Sequence, residues 1–504
     1  MSQEQVVAYA ASKKLMLSRD ALSFLEGRQD YAGLIDSVAS RNVFLAGRED
    51  FNGFEQKEHS NSSQVLVQRR TSRPAASEIE PRIKVSEPRD TGSLGEASDF
   101  LSYFKSNYSK RREIFLKTRD LSIIDISKTK HLQPRSEASF VGMVFEKYET
   151  KNGHVMLTLE DLTGSCKVLV LKDDRELMAV AQDVIEDDVV LVSGSKSNSA
   201  NSKYQDKTPM LVAKLILLPE IPQHKPPSCS EDVSVAITGD LHLGHKKFAE
   251  GAFKKFLSWL KGETGSEKQR EAAGKVKYLV LAGDLVDGVG VYPGQEEEQV
   301  ITDVYQQYEE LEKYLQEVPE YVHVVAIPGD HDAVRVEDPM PRIPEKYLPK
   351  ASKLENVHFL GSPARVELHG FKFLLYHGSS MFNVFSMVPH KAKVDKPETA
   401  MVEYLRRRHL SPFYGTTPNS RTLIFPEKED VLAIDEIPDV LVTGHLHKNG
   451  YENYHGTLAV NPGTWQMWTA YQAKQGIVPT PGVVPVLNLK SFTIHEMRFL
   501  AGEV

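Results

Sequence analysis

Five β-rich runs in the second half of the chain each stop at a glycine-flanked cluster of Asp or His. Val233–Thr238 ends at Gly239-Asp240-Leu241-His242, and Tyr278–Ala282 at Gly283-Asp284-Leu285-Val286-Asp287-Gly288. Val322–Ile327 leads into Pro328-Gly329-Asp330-His331-Asp332, Phe371–Leu375 into Tyr376-His377-Gly378, and Val440–Val442 into Thr443-Gly444-His445-Leu446-His447. Between these runs lie helical patterns, and strands that alternate with helices build layered α/β sheets. Ligands of such sheets bind beyond the carboxyl ends of the strands. The five clusters are therefore expected to meet in one crevice.

Asp and neutral His are ligands for Mn, Zn or Fe, and a carboxylate can bridge two ions roughly 3.5–4 Å apart, the spacing that two-metal hydrolases use. Taken singly, an Asp-x-His is more often a capping Asp beside a surface His, and a GHLH segment can be a plain turn. Five such clusters in order, each after a strand, point to a two-metal phosphoesterase site.

At 504 residues the chain exceeds a single core, so two or three domains are expected. Residues 1–50 read as a small helical module, with apolar Val6, Val7, Ala10, Leu15, Leu22 and Leu25, Ser18 as a cap and Gly27 as a stop. Residues 51–98 are polar and rich in Ser, Glu and Pro, the composition of a flexible linker. A basic helical segment, 99–135, interleaves Tyr103, Phe104, Tyr108 and Phe115 with Lys105, Lys110, Arg111, Arg112, Lys117 and Arg119. Such a stretch either stacks on and neutralises a nucleic acid strand or is an amphipathic helix whose aromatics pack. Residues 136–221 hold five short strands (FVGMVFEK, HVMLTLED, KVLVLK, DVVLVSG, MLVAKLIL), the pattern of a small OB-like barrel. A second linker, 222–232, precedes the α/β domain, 233–504. The fold class is thus multidomain, α/β plus all-β.

No run of 18 apolar residues is present and the N-terminus has no secretory pattern, so an intracellular, cytoplasmic protein without a membrane span is expected. Cys166 and Cys229 fit neither a thiolate zinc cluster nor a disulfide framework. The net charge of −8 excludes nonspecific coating of nucleic acid and leaves any DNA contact to local patches.

The series DxH, GDxxD, GDHD, H and GHxH resembles the calcineurin-like metallophosphoesterase superfamily. The resemblance implies a calcineurin-like α/β sandwich. It also implies that Asp240, His242 and His447 hold one divalent ion, that Asp284 bridges, and that Asp330, His377 and His445 hold the second. His331 would face the scissile phosphate, with Asp287 orienting its imidazole. Mn2+ is the expected metal, with Mg2+, Fe2+ or Zn2+ as alternatives. The superfamily usually has Asn at the position of Asp330; three carboxylates against two divalent ions leave a formal +1 where Asn would leave +2, which binds metal more tightly and pulls less on phosphate.

GDLVDGVGVYPGQ (283–295), IPGDHDAVR (327–335), LRRRHLSPFYG (405–415), NPGTWQMWTAYQ (461–472) and PTPGVVPVLNLK (479–490) are similar to the small-subunit family of archaeal family D DNA polymerases over roughly residues 100–504. That resemblance implies a 3′–5′ exonuclease acting on DNA primer 3′ ends, a large catalytic polymerase subunit as partner, other replication factors as further contacts, and a nucleoid-associated location. A noncatalytic scaffold subunit and a stand-alone phosphodiesterase are the alternatives. Arg406, Arg407 and Arg408, with His409, form a basic cluster that either holds a DNA backbone or is a solvated helix end or an ion-pairing face. Trp465, Trp468 and Tyr471 either stack on a base or seal a subunit contact, and packing is the commoner role for aromatics after a tight Pro-Gly turn.

Overall fold

The computed structural model describes residues 73–86, 92–197, 208–414 and 422–500, with parts of the first 46. It divides into two units, Met1–Arg69 and Arg70–Val504. In the first, helices Arg19–Leu25 and Tyr31–Ala39 bury Ala21, Leu25, Ile35 and Val38 together with Val6. Ser18 caps the first of them, its Oγ accepting from the Ala21 N–H at 3.2 Å. Leu15, Gly27 and residues 51–72 lie outside the described residues.

In the second unit, strands Glu137–Glu149, Val155–Asp161, Gly164–Val170, Val189–Lys196 and Met210–Leu217 close a five-stranded barrel. The fifth strand inserts between the third and fourth, parallel to the third. Alternation drives the closure: Leu157 and Leu159 on one strand and Val168 and Val170 on the next point inward to a shared core with Phe140 and Val192.

Beyond the barrel, two six-stranded sheets pack face to face. One contains Ser234–Thr238, Val276–Ala282 and His323–Ile327 as neighbouring parallel strands; the other contains Phe371–Leu375, Val440–Val442 and Thr457–Asn461 in parallel. Val235, Ile237, Val280 and Val325 of the first meet Val366, Phe373, Val442 and Val460 of the second in a fully apolar layer. Helices Glu250–Leu260 and Val304–Gln316 cover the outer face of the first sheet, and Met381–Met387 and Pro397–Arg407 that of the second. Among the described residues no helix is long and apolar enough to cross a membrane.

Two sequence expectations need correction here. The stretch 51–98 is not linker throughout: Ile83–Ser86 is an edge strand paired antiparallel to Ala364–Leu368, and the Arg82 N–H donates to the Tyr278 hydroxyl at 2.8 Å. Backbone pairing and the buried Ala76 pin this polar segment despite its composition. The segment 222–232 is likewise tied down, by the His224 N–H to the His455 carbonyl (2.9 Å) and by Arg82–Glu231 (2.6 Å).

The arginine run is the second correction. Arg407 is 1% exposed; it pairs with Glu403, lies 3.1 Å from Asp188 and donates to the Asp183 carbonyl at 2.6 Å. Arg406 reaches Glu403 (2.7 Å) and Asp183 (3.3 Å), and Arg408 is buried on the carbonyls of Ile434 and Asp435. Asp183 and Asp188 belong to the barrel, so Arg406 and Arg407 fasten barrel to sandwich, and Arg408 is held within the sandwich. The basic helix Ala97–Thr118 behaves the same way, burying Tyr103, Tyr108, Phe115 and Arg111, whose guanidinium donates to the Asp187 carbonyl at 3.0 Å.

Candidate metal centre

The parallel strands deliver their carboxyl ends to one edge of the sandwich, and backbone bonds knit the clusters together there. The Asp240 N–H donates to the Gly283 carbonyl (2.9 Å), the His242 N–H to the Asp284 carbonyl (3.0 Å), and the Gly444 N–H to the His377 carbonyl (2.7 Å). The His445 N–H donates to the Asp240 carboxylate at 2.9 Å. Asp240, His242, Asp284, His445 and His447 all have φ between 49° and 73°, a left-handed conformation that L-residues adopt at a cost. Five of the eleven non-glycine residues with positive φ among the described residues thus fall in this one cluster. Gly329 is required by approach: a Cβ there would collide with the Asp284 carboxylate and the His377 ring.

Two ligand sets result. One atom each from Asp240, His242, Asp284 and His447 lies within 4.8 Å of the others, and so does one each from Asp284, Asp330, His377 and His445. Asp284 belongs to both. In the first set His242 Nε2 lies 3.0 Å from His447 Nε2 and 3.5 Å from Asp284 Oδ2. In the second, Asp330 Oδ1 lies 3.0 Å from His377 Nε2 and 3.2 Å from His445 Nδ1. None of the three carboxylates has a Lys or Arg partner among the described residues. Buried anions need compensation, and two imidazole nitrogens aimed at one another between carboxylates suit a shared cation better than each other. The donor set therefore fits a pair of divalent ions.

Protonation follows the same crowding. Burial holds the Asp240 carboxyl well above the usual range, the His377 charge only partly opposing it. Burial also acts to raise Asp330, but the charges and hydrogen bonds of His445 and His377 win and hold it well below that range. His377 is the complement: burial acts against its charge, and Asp284 and Asp330 raise it well above the ordinary histidine value. Burial and the neighbouring His242 keep His447 well below that value, in the neutral form a metal ligand needs.

All of these residues fall inside a segment with known relatives. A profile of the family of B-subunits of DNA polymerases alpha and epsilon matches residues 235–450. The DNA polymerase II small subunit of Methanothermobacter thermautotrophicus is 39% identical over 398 residues, 78% of each chain. The chain belongs to the small-subunit family of archaeal DNA polymerase II, family D. The small subunit of Methanocaldococcus jannaschii is 34% identical over 448 residues, 88% of this chain and 73% of that one, and that of Archaeoglobus fulgidus 38% over 393 residues, 78% and 75%. Family membership makes this chain part of a DNA polymerase complex.

Around the ligand sets the family D subunit carries residues that the sequence motifs do not reveal. His447 Nδ1 is 2.6 Å from the Gln472 side-chain amide, which also bonds Gln466 at 2.9 Å. His377 Nδ1 meets the main-chain carbonyl of Ala282 at 2.8 Å. Asp332 accepts from the Gly329 N–H (2.9 Å), the Leu285 N–H (3.2 Å) and the Tyr308 hydroxyl (2.9 Å), locking the GDLVD and PGDHD loops together. Gln295, Gln466 and Gln472 lie within the family-resembling segments 283–295 and 461–472, and Gln299 just beyond the first; glutamine carries no ligand chemistry, so only burial discloses their role.

Asp287 does not hold His331 as the motif implies. His331 Nδ1 bonds the main-chain carbonyl of Asp287 at 2.8 Å, while the carboxylate is 4.0 Å away. That carboxylate instead stands 3.4 Å from His242 Nδ1 and accepts from Gln299 (2.6 Å) and Gln295 (3.0 Å). A carboxylate behind an imidazole fixes its tautomer and ring plane. Burial opposes the charge of His331, but Asp284, Asp330 and Asp287 outweigh it and raise its pKa, favouring the imidazolium. Of the three late aromatics, Trp465 is buried with its Nε1 on Thr238 Oγ1 (2.7 Å), Trp468 is exposed, and the Tyr471 side chain lies outside the described residues.

The centre floors an open pocket of about 480 Å³. His331, Asp330 and His445 line its polar side; Val291, Val336, Phe382 and Ile477 line apolar walls. Polar floor and apolar wall together suit a phosphate joined to a nucleoside.

Proposed function

We propose that this subunit carries a two-metal 3′–5′ exonuclease that removes mispaired nucleotides from DNA primer ends, working beside a large polymerase subunit that performs synthesis. The observation that carries this reading is the shared Asp284: one carboxylate common to two complete ligand sets at the floor of a nucleotide-sized pocket. The paired sheets correspond in this reading to a calcineurin-like metallophosphoesterase sandwich, and the N/O donor set suits Mn2+, with Mg2+, Fe2+ or Zn2+ as substitutes.

When bound, the two ions supply Lewis-acid neutralisation of the phosphate and a lowered pKa for water. The chain's own residues do the rest. Asp240, His242 and His447 define one half of the floor and Asp330, His377 and His445 the other. His331, fixed through the Asp287 carbonyl and favoured as imidazolium, presents Nε2–H to the scissile phosphate or its leaving oxygen. The apolar walls exclude water from the nucleoside. Asp330 lowers the net charge of the floor, so the Asp330→Asn variant should bind metal more weakly yet act on phosphate a few-fold faster once loaded.

The test supplies Mn2+ and a labelled primer with a 3′-terminal mismatch to the subunit, with and without its large partner, beside Asp284→Ala. Metal-dependent loss of 3′ nucleotides by wild type alone supports the exonuclease. Equal digestion by the variant sinks it, and an inactive wild type that still binds metal favours a scaffold.

A further inference from the structure

The chain has three tryptophans, and two of them, Trp259 and Trp465, are core residues at 2% and 1% exposure. Trp468 stands apart: it is 58% exposed, its ring meets no other ring among the described residues, and it directly precedes Thr469, a wall residue of the metal pocket. Gln466, two positions earlier, lines the same wall. A large rigid aromatic held in water next to a pocket-wall residue offers a face on which a flat ligand group can stack.

The backbone of a lysine runs beside that of Met467, the neighbour of Trp468. The Met467 N–H donates to the Lys247 carbonyl at 2.8 Å, and Phe248 pairs with Gln466, so the segment after the first motif runs alongside the tryptophan segment. Lys247 is exposed, and its ammonium has no hydrogen bond or ion pair among the described residues, whereas that of the adjacent Lys246 donates to the Glu297 carbonyl. Within the pocket itself the described lining contains no Lys or Arg. Among the described residues, an exposed lysine and an exposed tryptophan thus stand on adjoining segments, next to the pocket-wall residues Gln466 and Thr469.

We propose that Trp468 and Lys247 form the track that holds a single strand of nucleic acid leading out of the metal pocket, Trp468 stacking on a base and Lys247 contacting a phosphate. Stacking on one aromatic face tolerates every base, and pairing it with a lysine gives the sequence-independent grip that trimming of arbitrary ends requires. A base that stacks on Trp468 is a base no longer paired, so the track selects single-stranded ends. This placement rests on the exonuclease reading for its direction, since the pocket end of the strand is where the cut falls.

The two buried tryptophans make the test direct. Oligothymidylate with cleavage-resistant phosphorothioate linkages, titrated into the full-length chain, should quench tryptophan emission in a saturable way. Trp468→Ala should abolish that quenching and weaken binding, read independently by anisotropy of a labelled oligonucleotide, about tenfold; Trp468→Phe should restore most of the affinity. Lys247→Ala should reduce the slope of log affinity against log salt by about 0.7, the loss of one single-strand phosphate contact. Wild-type binding without quenching, absence of binding, or Trp468→Ala binding as tightly as wild type would overturn the track. Failure of the exonuclease reading shows separately, as digestion insensitive to Asp284→Ala, and leaves the fluorescence titration able to decide the track by itself.

Discussion

Two polar clusters in this chain look alike in sequence and behave as opposites in the fold. The Asp/His cluster at the strand ends is drawn to one pocket, with Asp240, His242, Asp284, His445 and His447 in left-handed backbone conformations and its carboxylates lacking any Lys or Arg partner among the described residues. The arginine run 406–408, equally rich in charge, is taken up by the fold, with the half-buried Arg406 and buried Arg407 joining barrel to sandwich through Glu403, Asp183 and Asp188, and Arg408 buried on the Ile434 and Asp435 carbonyls. The difference is compensation. The arginines meet carboxylates and carbonyls that belong to the fold, whereas among the described residues the side chains paired with Asp240, Asp284 and Asp330 are imidazoles, the donor set that a divalent ion takes.

That contrast breaks first at Asp284. Asp284→Ala should cost on the order of a thousandfold or more in Mn2+-dependent digestion, because both ligand sets lose a member, while the thermal midpoint stays near wild type. A collapse of the fold would show that the centre is structural after all. Arg407→Ala should do the reverse, leaving Asp188 buried without its cation and Glu403 with Arg406 alone, at a cost of about 3–5 kcal/mol, measured by denaturant unfolding, without a specific loss of DNA affinity in the folded fraction. Loss of DNA affinity at unchanged stability would return the arginines to the DNA surface.

Smaller effects sharpen the picture inside the centre. Gln472→Ala and Asp287→Ala should each weaken binding of the ion at Asp240, His242 and His447 by about 10–100-fold, seen as one shifted step in calorimetric Mn2+ titration. The other step should hardly move, because His377 is oriented by the Ala282 main chain. Equal shifts in both steps would erase the asymmetry between the halves.

The least effect concerns Asp338, whose carboxyl burial pushes up to about 7, opposed by the Tyr376 hydroxyl that donates to it at 2.6 Å. A carboxyl raised in the folded state favours the protonated form. Its stabilising contribution is full below the unfolded value near 4 and fades as pH rises towards 7. Asp338→Asn should flatten the fall in thermal midpoint between pH 5 and 8 by a few degrees, at roughly 2–4 °C per kcal/mol. An unaltered slope would assign that pH dependence to other groups.

Much of this was legible in the sequence. Period-2 alternation announced the barrel strands, and apolar runs ending in Gly-Asp or Gly-His announced where strands stop, because only a sharp turn brings a ligand back over the sheet edge. What escaped is what depends on partners far away in the chain. The edge strand Ile83–Ser86 lies in a polar stretch and forms only because Ala364–Leu368 offers it a ladder. Arg407 reads as surface until Asp188, more than two hundred residues earlier, is placed beside it. The role of Asp287 turned on a rotation: its carbonyl faces His331 and its carboxylate faces His242, which no spacing encodes.

The central claim, a dinuclear centre bridged by Asp284, is tested most directly by counting bound Mn2+ and recording its electron paramagnetic resonance in wild type and Asp284→Ala. Two ions per chain with an exchange-coupled signal, lost in the variant, is the predicted result. One ion or none in the wild type, or two magnetically isolated ions unaffected by the substitution, would contradict it.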